Sequence, residues 1–208
     1  GDILPGLLYS QMKDIYPQVT PLPMANVPRK MRQQNPDLHY QASHRLQGEG
    51  GSILVGDNVI SLTTLEYKGW NDFKAKLVAL LKVLKSTEQT KSVKRFSFKY
   101  INLIEAQSSE TQLGFLNMKI ECINAPPRER GFLMRTEFDQ GKHTTIVQIA
   151  PQSSIRLPSP DKELSGLLVD IDTIRFEPGA AFLLSPDSLL EEAHLVAKNV
   201  FFSLLAPS

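Results

Sequence analysis

The sequence predicts an α+β protein built on antiparallel sheet. Three observations carry that expectation. Strand-like segments are bunched rather than alternating with helices, in the order helix, three strands, helix, five strands, helix. Glycine-bearing turns separate neighbouring apolar runs, as in hairpins and meanders. Two segments, one central and one at the C-terminal end, carry a wide apolar stripe at helical period. The expected architecture is an antiparallel sheet of about eight strands packed with three helices. It reads as one domain over residues 1–208, or as two helix-plus-sheet halves dividing near residue 90.

Each element has a local reason. Leu4, Leu7, Leu8, Met12 and Ile15 recur at helical spacing, so residues 5–15 read as a short helix. Tyr16-Pro17 stops it, because proline disfavours helical geometry in the residue before it. Residues 17–38 hold Pro17, Pro21, Pro23, Pro28 and Pro36 and read as an extended surface connection. Gly48-Glu49-Gly50-Gly51 and Gly56-Asp57-Asn58 then divide strands 40–47, 52–56 and 59–65 into a meander. Trp70, Phe73, Leu77, Leu80, Leu81 and Leu84 line one face of a helix running to about Lys85, with Trp70 and Phe73 as core anchors. Gly69 allows the tight junction before it.

Strands return at 93–105, 112–124, 131–139, 142–150 and 165–175. Asp139-Gln140-Gly141 is a hairpin turn. Asn124-Ala125-Pro126-Pro127 and the stretch from Pro151 to Pro160 read as loops. In the last helix Ser185 is placed to cap, with Pro186 at the first helical position. Its stripe is Leu189, Ala193, Val196, Val200 and Leu204, with Leu190, Ala197 and Phe201 beside it. So wide a stripe predicts deep packing against a sheet.

Composition narrows the function classes. Hydrophobic residues make up 41% and charged residues 22% of the 208, ordinary values for a globular protein. No run approaches the roughly 18 apolar residues a membrane helix needs. The opening Gly1-Asp2-Ile3-Leu4-Pro5-Gly6 lacks the basic n-region of a signal peptide, so none is expected. With Cys122 the single cysteine, no intramolecular disulfide can form, which suits a reducing, cytoplasmic setting. A net charge of +1 advertises no global field for nucleic acid.

Charge is nevertheless uneven. Between Lys68 and Lys99, nine basic residues stand against Asp72 and Glu88; between Asp161 and Glu192, eight acidic residues stand against Lys162 and Arg175. Such poles suit partners or one another. In the basic stretch Lys74, Lys82, Lys85, Lys94, Arg95 and Lys99 are the candidate anion- or partner-binding residues. Arg29, Lys30 and Arg32 form a smaller basic cluster. Lys94-Arg95-Phe96-Ser97-Phe98-Lys99-Tyr100 superficially resembles an RNA-binding strand with alternating aromatics. Arg95, Ser97 and Lys99 depart from that pattern, and a core-facing set of aromatics is the competing reading.

The sequence holds no G-x-x-x-x-G-K-[ST], G-x-G-x-x-G, H-E-x-x-H, C-x-x-C or G-x-S-x-G. Asp170 and Asp172, two apart in a strand, share a face, a spacing that can bind a divalent cation or share a proton. A salt-bridged strand face is the alternative. Tyr100 and Asn102 also share a face and need polar partners. His39 and His44, five apart, point to opposite faces and suit no metal. His143 follows a hairpin turn and is expected to be exposed. His194 sits at the margin of the last helix stripe, and Cys122 reads as a buried apolar thiol.

Several segments together resemble a sporadically distributed bacterial family of uncharacterised proteins. They are Pro5-Gly6-Leu7-Leu8-Tyr9 with Tyr16-Pro17, and Tyr67-Lys68-Gly69-Trp70-Asn71-Asp72-Phe73 against the family's Y-x-G-W-x-x-F. Tyr100-Ile101-Asn102 matches its Y-I-N, and Leu167-Leu168-Val169-Asp170-Ile171-Asp172 its L-L-x-D-I-D. The closing helix, with His194 and Phe201, also matches, although Ala193 stands where leucine is usual. The resemblance implies a bacterial, cytoplasmic origin and supplies no catalytic residue or cofactor. It also implies a strand ahead of the first helix. A sheet lacking that strand has an open edge, which favours a homodimer.

The function expected from the sequence is a non-enzymatic binding module holding a protein partner, or a second copy, with no cofactor. A sheet curved round a helix would offer it an apolar groove. One alternative is a metal-dependent or acid/base enzyme centred on Asp170 and Asp172, helped by Tyr100, Asn102 and His194. The other is RNA binding through residues 68–99.

Overall fold

The computed structural model describes residues 3–106, 108–118, 132–158 and 161–206. The chain divides into two compact units, Gly1–Lys91 and Ser92–Ser208. Among the described residues, eight strands lie in two antiparallel sheets of four, rather than in one sheet of eight. Six α-helices, rather than three, accompany them among the described residues.

The first unit holds α1 (Leu4–Met12), β1 (Gln18–Pro21), α2 (Arg29–Gln34), β2 (Ala42–Gly48), β3 (Gly51–Gly56), β4 (Ile60–Thr64) and α3 (Trp70–Ser86). Its sheet runs β1-β2-β3-β4. Alternation along β3 buries Ile53 and Val55, which join Leu46, Leu8 and Met12 in the core. α1 packs on β3 and α3. The later half of the α3 stripe, Leu80, Leu81 and Leu84, is buried. Trp70 and Phe73 are only half-buried, and the rings of Tyr67 and Trp70 lie 6.4 and 6.5 Å from that of Phe73. Gly69 enters α3 at φ 107°, open to glycine and strained for other residues.

The expected extended connection over 17–38 is more structured than its prolines suggest. It contains β1, α2 and two 3-10 turns, Pro23–Asn26 and Pro36–Leu38. Each turn starts on a proline, whose fixed φ suits a first helical position. Arg32 does not belong to a surface basic cluster. It is buried, with its Nε 3.1 Å from the Asp57 carboxylate.

The second unit holds β5 (Val93–Glu105), α4 (Ser109–Gly114), β6 (Met134–Gln140), β7 (His143–Pro158), β8 (Asp161–Gly179), α5 (Ala181–Leu184) and α6 (Asp187–Leu204). Its sheet runs β5-β8-β7-β6. The strand expected over 112–124 is replaced at its start by α4, capped where Ser108 Oγ accepts from the Thr111 N–H at 3.2 Å. Cys122 and the expected loop Asn124–Pro127 lie outside the described residues.

The loop expected from Pro151 to Pro160 is instead the end of a long ribbon. β7 continues to Pro158 and β8 starts at Asp161, across an irregular register between Ala150 and Ser153. β6 pairs β7 only as far as Ile149, so beyond it β7 is an edge among the described residues, where a missing proline N–H costs no ladder bond.

α6 lies on one face of this sheet. Val147 and Ile149 of β7, Leu167, Val169 and Ile171 of β8, and Ala197 and Val200 of α6 form one closed core with Leu116. Leu190, Ala193, Ala197 and Val200 are the buried line of the helix. No side-chain bond caps its start, so Ser185 is not a cap; Leu190 N–H bonds the Pro186 carbonyl at 2.9 Å.

Candidate functional site

The five candidate catalytic residues fall on opposite faces of the second sheet. The cause is register. Tyr100 of β5 pairs Ile171 of β8 and Asn102 pairs Val169, so both face α6. Lys99 pairs Asp172 and Ile101 pairs Asp170, so the two aspartates face away from it. Tyr100 and Asn102 are therefore not partners of Asp170 and Asp172.

On the helix face, the Tyr100 hydroxyl lies 3.0 Å from His194 Nδ1 of α6. Asn102 Nδ2 donates to the Val169 carbonyl at 3.3 Å. Burial pushes the His194 imidazole pKa down; Glu191 pulls it back and Lys198 adds to the fall. Phe96 and Phe98 share this face, where Phe96 stacks on Phe182 of α5 at 4.4 Å and Phe98 is buried. Phe96 is half-buried and Phe98 buried, which matches the core-facing reading of these aromatics.

A further polar group was not expected. His143 is 2% exposed rather than surface-lying. Its Nδ1 is 3.8 Å from the Glu192 carboxylate of α6, and Arg175 of β8 reaches the same oxygen at 3.7 Å. Burial is the main influence lowering the His143 pKa; Glu192 opposes it and Arg175 reinforces it. Thr145 and Thr173 sit beside them, hydroxyls 3.3 Å apart. The alternation from His143 through Thr145, Val147 and Ile149 was the available signal, since all four share one face.

On the open face, meaning only the one turned away from α6, Asp170 is 7% exposed and therefore buried. Its Oδ2 accepts from Lys99 Nζ at 2.9 Å and from Gln148 Nε2 at 3.4 Å. Burial pushes the Asp172 carboxyl pKa up. The Ser97 hydroxyl and Lys99 pull it back, Asp170 raises it further, and Arg95 lowers it. Each aspartate keeps one buried oxygen, Oδ1, with no hydrogen-bond partner among the described residues. Asp172, raised by burial, is the group suited to hold and release a proton. Among the described residues no three His, Cys, Asp or Glu side chains group to hold a metal ion.

The candidate anion-binding residues also divide. Lys74, Lys82 and Lys85 lie on α3 in the first unit, while Lys94, Arg95 and Lys99 lie on β5 in the second. Arg95 and Lys99 share the open face with Ile101, 58% exposed, and with Phe176 of β8, 54% exposed. No helix of the described chain is long and apolar enough to cross a membrane. No protein-family model, curated protein or solved structure matches the chain.

Proposed function

We propose that the chain is a non-enzymatic interaction module whose working surface is the β5 margin of the sheet face turned away from α6. One observation carries this reading: two large apolar side chains, Ile101 and Phe176, stand exposed beside the cations Lys99 and Arg95. Apolar anchors ringed by charge are the usual make-up of a protein-binding patch. The partner it suits is a polypeptide presenting apolar and acidic side chains together. A bacterial, cytoplasmic setting belongs to the same reading; the family resemblance supports both parts and the single cysteine the second.

The test is a photo-crosslinking residue at position 176, compared with one at Leu195, which is exposed on α6. A discrete adduct at 176, absent at 195 and lost when Ile101→Asp is added, supports the reading. Equal adducts at both positions, or none, overturn it.

A second reading, acid/base chemistry, is favoured by the raised pKa of Asp172 beside Asp170. It requires a substrate whose turnover falls by about 100-fold or more in Asp172→Asn, the usual contribution of a proton-transfer group. An unchanged rate in that variant removes it.

A further inference from the structure

The β5 edge carries a second, independent feature. β5 has β8 on one side and no described strand on the other. It is 13 residues long, about 43 Å of edge at roughly 3.3 Å per residue. Its two halves differ. Lys94, Arg95 and Lys99, with a register irregularity between Val93 and Arg95, guard the first half in the way edges are normally protected. The second half, Ile101-Asn102-Leu103-Ile104, has no charge until Glu105.

We propose that this half-guarded edge pairs with the same edge of a second copy, antiparallel about a two-fold axis through Asn102. Symmetry restricts the choice. In a two-fold antiparallel pair each residue meets one of the same parity, so paired side chains share a face. An axis at Lys99 sets the two lysines against each other. An axis at Ile101 sets Lys99 against Leu103 and Glu105 against Ser97. An axis at Asn102 sets Lys99 against the partner's Glu105, twice, and Ile101 against the partner's Leu103, twice. On the α6 side it sets Tyr100 against the partner's Ile104. Opposite charges and apolar pairs directly across a ladder stabilise it, and like charges oppose it.

Lys99 already bonds Asp170 at 2.9 Å. Its ammonium has three donors, so it can hold both carboxylates. The pairing is isologous and closes at two copies, giving one continuous eight-stranded sheet with no open β5 edge. The inference goes beyond the partner reading above and does not depend on it. Self-association is read by mass in solution and partner capture by crosslinking at 176, so either can fail alone.

The 208-residue chain is measured by sedimentation equilibrium over a dilution series. A dimer is expected, and Glu105→Lys weakens it roughly tenfold or more by setting cation against cation twice. Glu105 is exposed, so the variant's urea midpoint serves as the check that its fold is intact. In a Cys122→Ser background, Asn102→Cys links into a disulfide dimer under mild oxidation, because the axis sets the two positions face to face. Ser97→Cys does not. A monomer at every concentration, a dimer that Glu105→Lys leaves at full strength, or equal linkage by the two cysteine variants overturns the pairing.

Discussion

The two faces of the second sheet are built from alternate residues of the same strands, yet they differ in nearly every physical respect. On the face under α6, Val147, Ile149, Leu167, Val169 and Ile171 are sealed from water. Polar groups there answer one another in small sets, His143 and Arg175 with Glu192 at one end and Tyr100 with His194 farther along. On the other face charge and apolar surface are interleaved, with Lys99, Asp170 and Asp172 among Ile101, Ile174 and Phe176. Strand chemistry is held constant between the two, so the difference comes from what lies across each face. A helix imposes a contiguous core; the face turned away from it mixes buried groups, Asp170 and Ile174, with exposed ones, Ile101 and Phe176.

The sharpest way to break this comparison is to remove matched apolar side chains. Ile171→Ala, at a site with no exposure, leaves a cavity under α6 and costs about 2–5 kcal/mol. Ile101→Ala removes the same atoms from a side chain 58% exposed and, at dilutions where the chain is monomeric, stays within about 0.5 kcal/mol. Urea midpoints of both variants decide. Equal losses would mean that the open face is as much a core as the closed one.

The next effect separates the faces by the sign of their pH dependence. The folded His143 pKa lies below 6.5, the ordinary imidazole value, because burial disfavours the charged ring. The neutral ring therefore contributes stability that is present above 6.5 and lost as pH falls from there toward the folded value. His194 acts in the same direction. Wild type should lose stability between pH 7 and pH 5. His143→Gln should begin less stable at pH 7, since it disturbs a sealed position, and should show a shallower decline. A decline as steep as wild type would assign the pH dependence to other groups.

The sequence made part of this difference legible. The α3 and α6 stripes and the glycine turns bounding β3 announce themselves locally, because helical period and turn chemistry are properties of neighbouring residues. Period-2 alternation likewise shows that Phe96, Phe98 and Tyr100 share a face, and that Asp170 and Asp172 share one. It cannot show which face of β5 matches which face of β8. That relation is set by the Lys99–Asp172 register, between residues far apart in the chain. The candidate site was therefore assembled from residues on opposite sides of one sheet. The Arg32–Asp57 pair escaped for the same reason, since an ion pair across a fold has no local signature. The ribbon through residues 151–158 was hidden by composition. Prolines and serines signal a loop, and only an edge position with a bulge makes them compatible with a strand.

A smaller effect tests whether the helix-facing tyrosine is structural. Tyr100→Phe keeps the ring against α6 and removes the 3.0 Å contact with His194. A net loss of about 1 kcal/mol is expected, the usual worth of one hydrogen bond. A larger loss would show that the pair holds α6 in place beyond its packing.

The smallest effect is the most informative about the open face. Burial raises the Asp172 pKa, so the folded protein prefers this carboxyl protonated more than the unfolded chain does. Such a group favours the fold at pH values below its unfolded pKa, and that advantage is lost as pH rises through the folded pKa. At pH 7 the ionised Asp172 is then a mild penalty, and Asp172→Asn should stabilise the protein slightly. Ser97 can still donate to the amide oxygen, so the hydrogen bond survives the change. Lys99 loses one attraction but keeps Asp170 at 2.9 Å. The gain should stay below about 1 kcal/mol, because the site is partly solvated and its charges are screened. It should shrink as pH falls through the carboxylate range, where wild type becomes neutral as well. Urea midpoints at pH 7 and in acid give both numbers. A destabilised variant at pH 7 would mean that Lys99 and Ser97 outweigh burial. The aspartate pair would then be an anchor for Lys99, and the open face would owe its charge pattern to folding rather than to a partner.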